Sequence, residues 1–285
     1  MSSATINQSK PPAALVDKDL SRQVNSRVCE TIVLYRVVTA FIIASLLWKA
    51  GFYVFALSVY STYSLDDSFF PSFFSSSLAL GFMLVVPVVI GMASLVVHEK
   101  SFLIFQSAIT LLCMFGLCIH QGSYNDVTFL TCFWVSLWCL WYAIKLGAPP
   151  RELIATSRKF AVLIISLIFL GGAVGKWTPG YWSGQVFYEI YFVDRDFWFF
   201  NLLRWNLQPD ALREFATCYS RMVVLAESGC ALLWLLPVKL AGGIALTMLV
   251  VIALFSNVYL FSVVACLCGL AVVCLHEPKG SAFGA

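Results

Sequence analysis

Lys176 is the residue of this chain whose type and position could carry chemistry. It ends an uninterrupted apolar run in the stretch GGAVGKWTPGYWSG, and the aromatic residues Trp177, Tyr181 and Trp182 follow it. A lysine can act as a general base when burial lowers its pKa from about 10.4, and these aromatic side chains could wall the pocket required. The alternative is a lysine at the membrane interface, followed by an aromatic belt and a Pro-Gly helix stop. Spacing alone leaves both interpretations open.

A second ionisable residue, Glu227, lies near the middle of another apolar run, RMVVLAESGCALLWLLP. A short acidic side chain at that depth cannot reach the lipid headgroups, so it must be protonated, paired or exposed to water. Arg221 lies on a different part of the same helix surface, so we expect the partner to come from another helix. A role in a site and a hydrogen-bonded bridge between helices are both open.

Two basic residues, Arg36 and Lys49, lie inside the first apolar run. Long basic side chains can extend along apolar surface and place their charge among the lipid headgroups. We therefore favour interface anchoring over a role in a site for both residues.

The cysteines and histidines form no recognisable redox or metal motif. Eight of the 10 cysteines lie inside apolar runs, where an unpaired cysteine behaves as a small buried hydrophobe, and CxxC does not occur. The 3 histidines form neither an H-x-x-H nor an HExxH pair. The sequence therefore predicts no metal site.

The composition predicts an integral membrane protein. Of the 285 residues, 60% are hydrophobic and only 12% are charged, whereas about a quarter of the residues of a soluble domain are charged. The formal net charge of +3 is distributed among the connections, so the chain lacks the basic stripe that binds nucleic acid.

Apolar runs long enough to cross a bilayer predict an all-α polytopic membrane protein, a bundle of about eight transmembrane helices. The block 240–275 is too long for one span, so we place a turn near Ser256 and Asn257. The predicted spans are 31–60, 76–97, 101–120, 127–146, 160–176, 217–237, 239–255 and 258–275.

Lysine and arginine positions predict the orientation of the bundle, because cytoplasmic connections are enriched in both. If the helices alternate, most basic connections fall on one side, which places both termini in the cytoplasm. The exception is the connection after Lys176, which contains four arginines and many aromatic residues. We expect it to lie on the outer interface as short amphipathic helices, forming an aromatic non-cytoplasmic cap. The predicted regions are a polar cytoplasmic tail over 1–28, a membrane domain over 29–278 with its cap at 177–216, and a short tail over 279–285.

Four stretches in a fixed order resemble the horizontally transferred transmembrane (HTTM) family, which includes the membrane domain of vitamin K-dependent gamma-carboxylase. They are LYRVVTAFIIASLLWKAGFY, QGSYNDVTFL, GGAVGKWTPGYWSG and NVYLFS. The resemblance covers about residues 28–278, and order and spacing carry it because each motif alone is weak. Two histidines of the family pattern are replaced here, by Val127 and by a residue near Leu254.

The resemblance implies that Lys176 is a base acting on a reduced quinone or another lipid-like substrate at the non-cytoplasmic face. It implies no certain cofactor beyond that quinone, and it does not imply glutamyl carboxylation by this chain alone. The implied polar or aromatic lining comprises Trp177, Tyr181, Trp182, Asn125, Asp126, Glu227 and Asn257.

The alternative is a non-catalytic membrane subunit or scaffold that binds another membrane or secreted protein through its aromatic segment and small-residue patches. A transporter is a weaker interpretation, because the spans contain few polar groups and no evident inverted repeat. The expected partners are membrane lipids, a quinone or such a protein, and the expected location is a bacterial inner membrane.

Overall fold

A computed structural model describes residues 13–62, 76–120, 126–193, 195–255 and 260–277, with side chains from Glu30 onward except at 56 and 59–62. These ranges are almost entirely helical and contain no β-strand. A π-helical turn, Tyr188–Val193, follows α7, and a 3-10 turn, Leu233–Leu235, follows α9. The α-helices are α1 Ala13–Thr62, α2 Ser77–Ser94, α3 Lys100–Ile119, α4 Val127–Lys145, α5 Pro150–Lys176, α6 Pro179–Trp182, α7 Gln185–Phe187, α8 Trp198–Asn206, α9 Pro209–Cys230, α10 Val238–Phe255 and α11 Phe261–Leu275.

Seven helical segments in these ranges are long and apolar enough to cross a membrane, and the chain is therefore an all-α multi-pass membrane protein. They lie in α1 to α5, in α10, and in α9 together with the 3-10 turn after it. The eighth predicted span is α11, which is apolar but has only 15 residues.

Three predicted spans have different helix boundaries in the structure. The first, predicted over 31–60, belongs to a helix that already begins at Ala13. The fifth begins at Pro150 rather than at 160, because proline suits the first helical position and the charged residues after it still favour helix. The sixth was predicted as one segment over 217–237, yet its α-helix covers Pro209–Cys230 and then breaks. Pro237 disfavours helical backbone just before it, which accounts for the irregular end of this span.

α10 ends at Phe255 and α11 begins at Phe261, and these two helices pack closely together. The turn predicted near 256–257 lies outside the described residues. A Cβ atom added to Gly242 would lie 2.6 Å from the Cβ of Cys274, so only glycine permits this approach. Close contact at small residues is how membrane helices gain packing energy. Asn257 itself lies outside the described residues.

The main hydrophobic core surrounds α4, whose Trp138 and Tyr142 are fully buried. Their polar atoms are satisfied: the Trp138 indole donates to the Ser157 carbonyl at 3.0 Å, and the Tyr142 hydroxyl donates to the Thr31 carbonyl at 2.9 Å. Such pairing matters because an unpaired polar group is costly in an apolar interior. Nine cysteines are described as free thiols, and the five buried ones pack as predicted.

One end of the bundle collects polar ties between helix termini. Arg158 donates to the Cys274 carbonyl at 3.0 Å, and His276 contacts Glu30 at 2.7 Å. Arg36 was predicted to be a headgroup anchor, but its guanidinium donates to the Val96 carbonyl at 2.9 Å. A long side chain in α1 therefore ties down the connection between α2 and α3.

The opposite end contains a second, smaller core formed by residues between α5 and α10. Phe187, Phe192 and Phe200 are buried there among other aromatic rings, and we call this group the aromatic cluster. Gly184 connects it to α9 in a left-handed conformation (φ 77°), and an added Cβ would lie 2.4 Å from the Cα of Thr217. No other residue type fits at that junction without displacing the backbone.

The four arginines of this segment contact protein groups, which accounts for their presence in a connection predicted to be non-cytoplasmic. Arg204 donates to the Phe192 carbonyl and Arg221 to the Trp182 carbonyl, at 2.9 and 3.0 Å. The guanidinium carbons of Arg195 and Arg213 each lie 5.6 Å from the centroid of a tyrosine ring. These side chains hold the segment in shape.

Candidate functional site

Lys176 and Glu227 form an ion pair between the last residue of α5 and the last turn of α9. The Lys176 Nζ lies 2.6 Å from the Glu227 Oε2, and the two side chains are 22% and 13% exposed. The partner of Glu227 therefore comes from another helix, as predicted. Two charges that are costly to desolvate separately are neutralised by contact with one another.

Gly172, one turn before Lys176, makes room for this ion pair. A Cβ added there would lie 3.1 Å from the Glu227 Oε2 and 3.7 Å from the Lys176 Nζ. The neighbouring Gly171 and Gly175 have open space instead. Only one glycine of the GGAVG stretch is therefore needed for the local packing of the pair.

The ion pair lies at the wall of a cavity of about 590 Å³ between the aromatic cluster, α9 and α10. Apart from this pair, the lining is almost wholly aromatic or aliphatic, with Cys218 as an additional free thiol. The other lining residues are Tyr181, Phe187, Tyr191, Phe199, Phe215, Tyr219, Met222, Val223, Met248, Val251, Ile252, Phe255 and Leu260.

The cavity is apolar except where the Lys176–Glu227 pair places two opposite charges at its wall. The Lys176 ammonium donates to Glu227, so it can still offer hydrogen bonds to a ligand, and the Glu227 carboxylate can still accept them. In a low-dielectric surrounding such charge-assisted hydrogen bonds are strong. To act as a base, Lys176 would first have to give its proton to Glu227.

The three aromatic residues after Lys176 have different positions. Tyr181 lines the cavity, whereas Trp177 and Trp182 are not part of its lining. Trp177 is 54% exposed, its indole donates to the Ser228 hydroxyl at 3.0 Å, and its ring lies 5.0 Å from that of Trp182. The pocket wall expected from these tryptophans is formed instead by residues of the aromatic cluster and α10.

Asp126 belongs to a separate ion pair and not to this cavity. Its carboxylate lies 2.6 Å from the Lys49 Nζ and also accepts from the Thr128 backbone N–H at 2.9 Å, capping α4. Lys49 was predicted to be a lipid anchor, but its ammonium is paired with Asp126. The Lys49 Nζ also lies 4.4 Å from the centroid of the Phe52 ring. Asn125 and Asn257 lie outside the described residues.

Several lining residues were not identified from the sequence. On α9, Phe215, Tyr219 and Met222 share a face with Glu227. On α10, the residues that line the cavity include Met248 and Val251. This helical spacing is visible in the sequence, but it is also the ordinary pattern of a packed helix face. Within the described ranges, no three His, Cys, Asp or Glu side chains come together as metal ligands.

Searches of this chain against protein-family models, curated proteins and solved structures find no match. The geometry of the cavity and its ion pair is therefore what bears on function.

Proposed function

We propose that this membrane protein binds a lipid-like amphiphile in the cavity, with the polar end of the ligand against the Lys176–Glu227 pair. The observation that carries this proposal is an apolar chamber of about 590 Å³ whose wall contains one charged pair. Ligand sites are commonly apolar pockets of such a size with a few polar groups that fix orientation. An amphiphile offers the matching combination of a polar end and an apolar body.

The proposed orientation places both termini in the cytoplasm and the cavity toward the non-cytoplasmic face. The support is that basic side chains such as Arg158 and Lys100 lie at the end opposite Lys176, as the enrichment of basic residues in cytoplasmic connections requires. In this orientation the aromatic cluster is an interfacial cap, and the proposed location is a bacterial inner membrane.

The resemblance to the HTTM family extends the proposal to catalysis by Lys176 on a reduced quinone. Glu227 would take the lysine proton, and the free amine would then accept a proton from a quinol hydroxyl, leaving a quinol anion beside the ammonium. Both residues line the same cavity, which supports such a relay. Glutamyl carboxylation is not part of this proposal.

The alternative function is a non-catalytic membrane subunit. The observation in its favour is α8, which exposes Trp198, Leu202 and Trp205 at the spacing of a single helix face. In this alternative the apolar face binds another protein, and ligand retention does not depend on the cavity.

Ligand retention tests the proposal directly. The parent, Lys176→Met and, as a matched control, Lys49→Met are purified in mild detergent, and copurifying small molecules are identified by mass spectrometry. We expect the parent and Lys49→Met to retain an amphiphile and Lys176→Met to lose at least about nine-tenths of it, since tenfold corresponds to one good polar contact. Equal retention by all three, or no retained molecule and no binding of added quinol, contradicts the proposal.

Lys176→Arg separates binding from base chemistry. Arginine keeps the positive charge and the contact to Glu227, but it cannot give up its proton in a protein. We expect this variant to retain the ligand but to lose the oxygen-dependent consumption of a reduced quinone, measured by adding oxygen to a sample prepared anaerobically. Unchanged turnover would rule out Lys176 as the base.

A further inference from the structure

We propose that the ligand of the cavity is an uncharged, single-tailed amphiphile that enters sideways from the bilayer, through the gap between α9 and α10. This inference rests on the proposed function and adds to it the route of entry and the charge class of the ligand.

The gap between α9 and α10 is identified by residues that line the cavity and are also exposed on the outer surface. α9 and α10 face one another across the chamber, and the Tyr219 hydroxyl donates to the Phe255 carbonyl at 2.9 Å to join them at one position. Met222 of α9 is 64% exposed and Val251 of α10 is 42% exposed, yet both also line the cavity. Side chains that are exposed and line the chamber at once mark its opening.

In the proposed arrangement this opening faces lipid, because α10 and the segment formed by α9 and the 3-10 turn after it are long and apolar enough to cross a membrane. The exposed side of such helices is surrounded by hydrocarbon. An amphiphile already dissolved in the bilayer can therefore reach the cavity without passing through water. The volume of about 590 Å³ suits a compact head and the first part of a tail, while the remaining tail stays between α9 and α10 in the lipid.

The ion pair selects against charged heads. Lys176 and Glu227 together carry no net charge, so a charged ligand head would add an unpaired charge to an apolar chamber. Such a charge is expensive to bury. An uncharged hydroxyl head fits both partners, because it donates to the Glu227 carboxylate and accepts from the Lys176 ammonium.

Cys218 provides the readout for a test of this proposal. It is the exposed thiol among the described cysteines, and it lines the cavity. In vesicles of phosphatidylcholine, the rate of Cys218 alkylation by N-ethylmaleimide is followed by peptide mass spectrometry. A ligand in the cavity protects this thiol, and the probe is oleyl alcohol.

The entry route is tested by narrowing the gap with Met222→Trp and Val251→Trp. Leu225→Trp and Val250→Trp are matched controls, because these residues are exposed on the same helices but do not line the cavity. We expect protection to develop about tenfold more slowly in the two gap variants than in the controls. Protection at the parent rate in both gap variants overturns lateral entry.

The charge class is tested with three probes that share one tail: oleyl alcohol, oleyl sulfate and oleyltrimethylammonium. We expect the alcohol to protect the parent at concentrations about tenfold lower than the two ions. Glu227→Gln leaves an unpaired ammonium and should shift the preference to the sulfate, and Lys176→Met should shift it to the ammonium probe. A parent that prefers either ion overturns the inference.

These outcomes are distinct from a failure of the proposed function. If no probe protects Cys218 in the parent at any concentration, the cavity is not an amphiphile site and both proposals fall. If a probe protects the parent but the gap variants or the charge series do not respond as expected, binding stands and only this inference fails. Thermal unfolding of each variant confirms that it is folded before alkylation.

Discussion

The two lysine–carboxylate pairs of this protein have almost the same local geometry but different surroundings. Lys176 with Glu227 and Lys49 with Asp126 each have an N to O distance of 2.6 Å, and all four side chains are less than a quarter exposed. The first pair lines a cavity, and the second pair joins α1 to the capped start of α4.

The comparison shows that a buried ion pair does not by itself indicate a binding site. Lys49 has the Phe52 ring beside it, and the second oxygen of Asp126 accepts from a backbone N–H, so both side chains have further partners within the protein. Lys176 and Glu227 have space next to them. The space for a ligand is what separates a structural pair from a candidate functional one.

Removing one partner from either pair should give the largest loss of stability. Lys176→Met and Lys49→Met each leave a largely buried carboxylate without its counter-charge, so we expect each to lower the free energy of unfolding by roughly 3 kcal/mol. Thermal and denaturant unfolding in mild detergent measure this loss. The two losses should be similar while ligand retention differs, and a loss confined to one variant would break the comparison.

Replacing both partners of a pair should restore most of the stability. Lys176→Met with Glu227→Gln, and Lys49→Met with Asp126→Asn, remove both charges and keep similar side-chain volumes. We expect each double variant to lie within about 1 kcal/mol of the parent in free energy of unfolding. If the first double variant is stable but still releases the ligand, the cavity pair is needed for binding rather than for folding. Ligand retention equal to that of the parent would contradict this role.

The glycines before Lys176 should respond differently to alanine. Alanine favours helix over glycine by up to about 1 kcal/mol, and Gly171→Ala and Gly175→Ala enter open space, so both should hold or raise the unfolding temperature. Gly172→Ala places a methyl group 3.1 Å from the Glu227 Oε2, so it should forfeit that gain and weaken ligand retention. The same gain in all three variants would show that the pair does not need this space.

An exposed pair at the other end of the bundle should have the smallest effect. Lys239 contacts Glu277, and its ammonium holds the pKa of the Glu277 carboxyl below its usual value. The stabilisation is therefore fully present above the unfolded-state pKa and is lost as the pH falls through the lower folded-state pKa. On acidification the unfolding temperature of the parent should converge with that of Glu277→Gln. A difference that grows in acid would have the wrong sign.

Much of the bundle could be predicted from the sequence because hydropathy is a local property. An apolar run of sufficient length has to be a helix in a bilayer, where the backbone cannot leave its polar groups unpaired. The division of the block 240–275 into two helices, α10 and α11, followed from the same argument about length. The start of α5 at Pro150 was missed because this helix begins before its apolar run does. The end of α9 at Cys230 was missed because that helix stops before its apolar run ends.

The site was only partly predictable. Lys176 and Glu227 were identified because ionisable groups in apolar runs are costly and therefore rare. Their contact was not specified, because it depends on how α5 and α9 are rotated about their axes. Lys49 was misread for the same reason: a side chain long enough to reach an interface is also long enough to reach Asp126 on another helix.

The sequence by itself determined that this chain is a multi-pass helical membrane protein, and it singled out the few charges that the apolar segments contain. Only the tertiary structure decided which charges are partners and which pair lies beside a cavity. The physical reason is that hydropathy is a sum over the residues of one segment. Ion pairs and cavities, in contrast, form between segments that are distant in the chain. Gly172 shows the difference: the sequence gives a glycine within an apolar run, and only the structure shows that it leaves room for Glu227 of another helix.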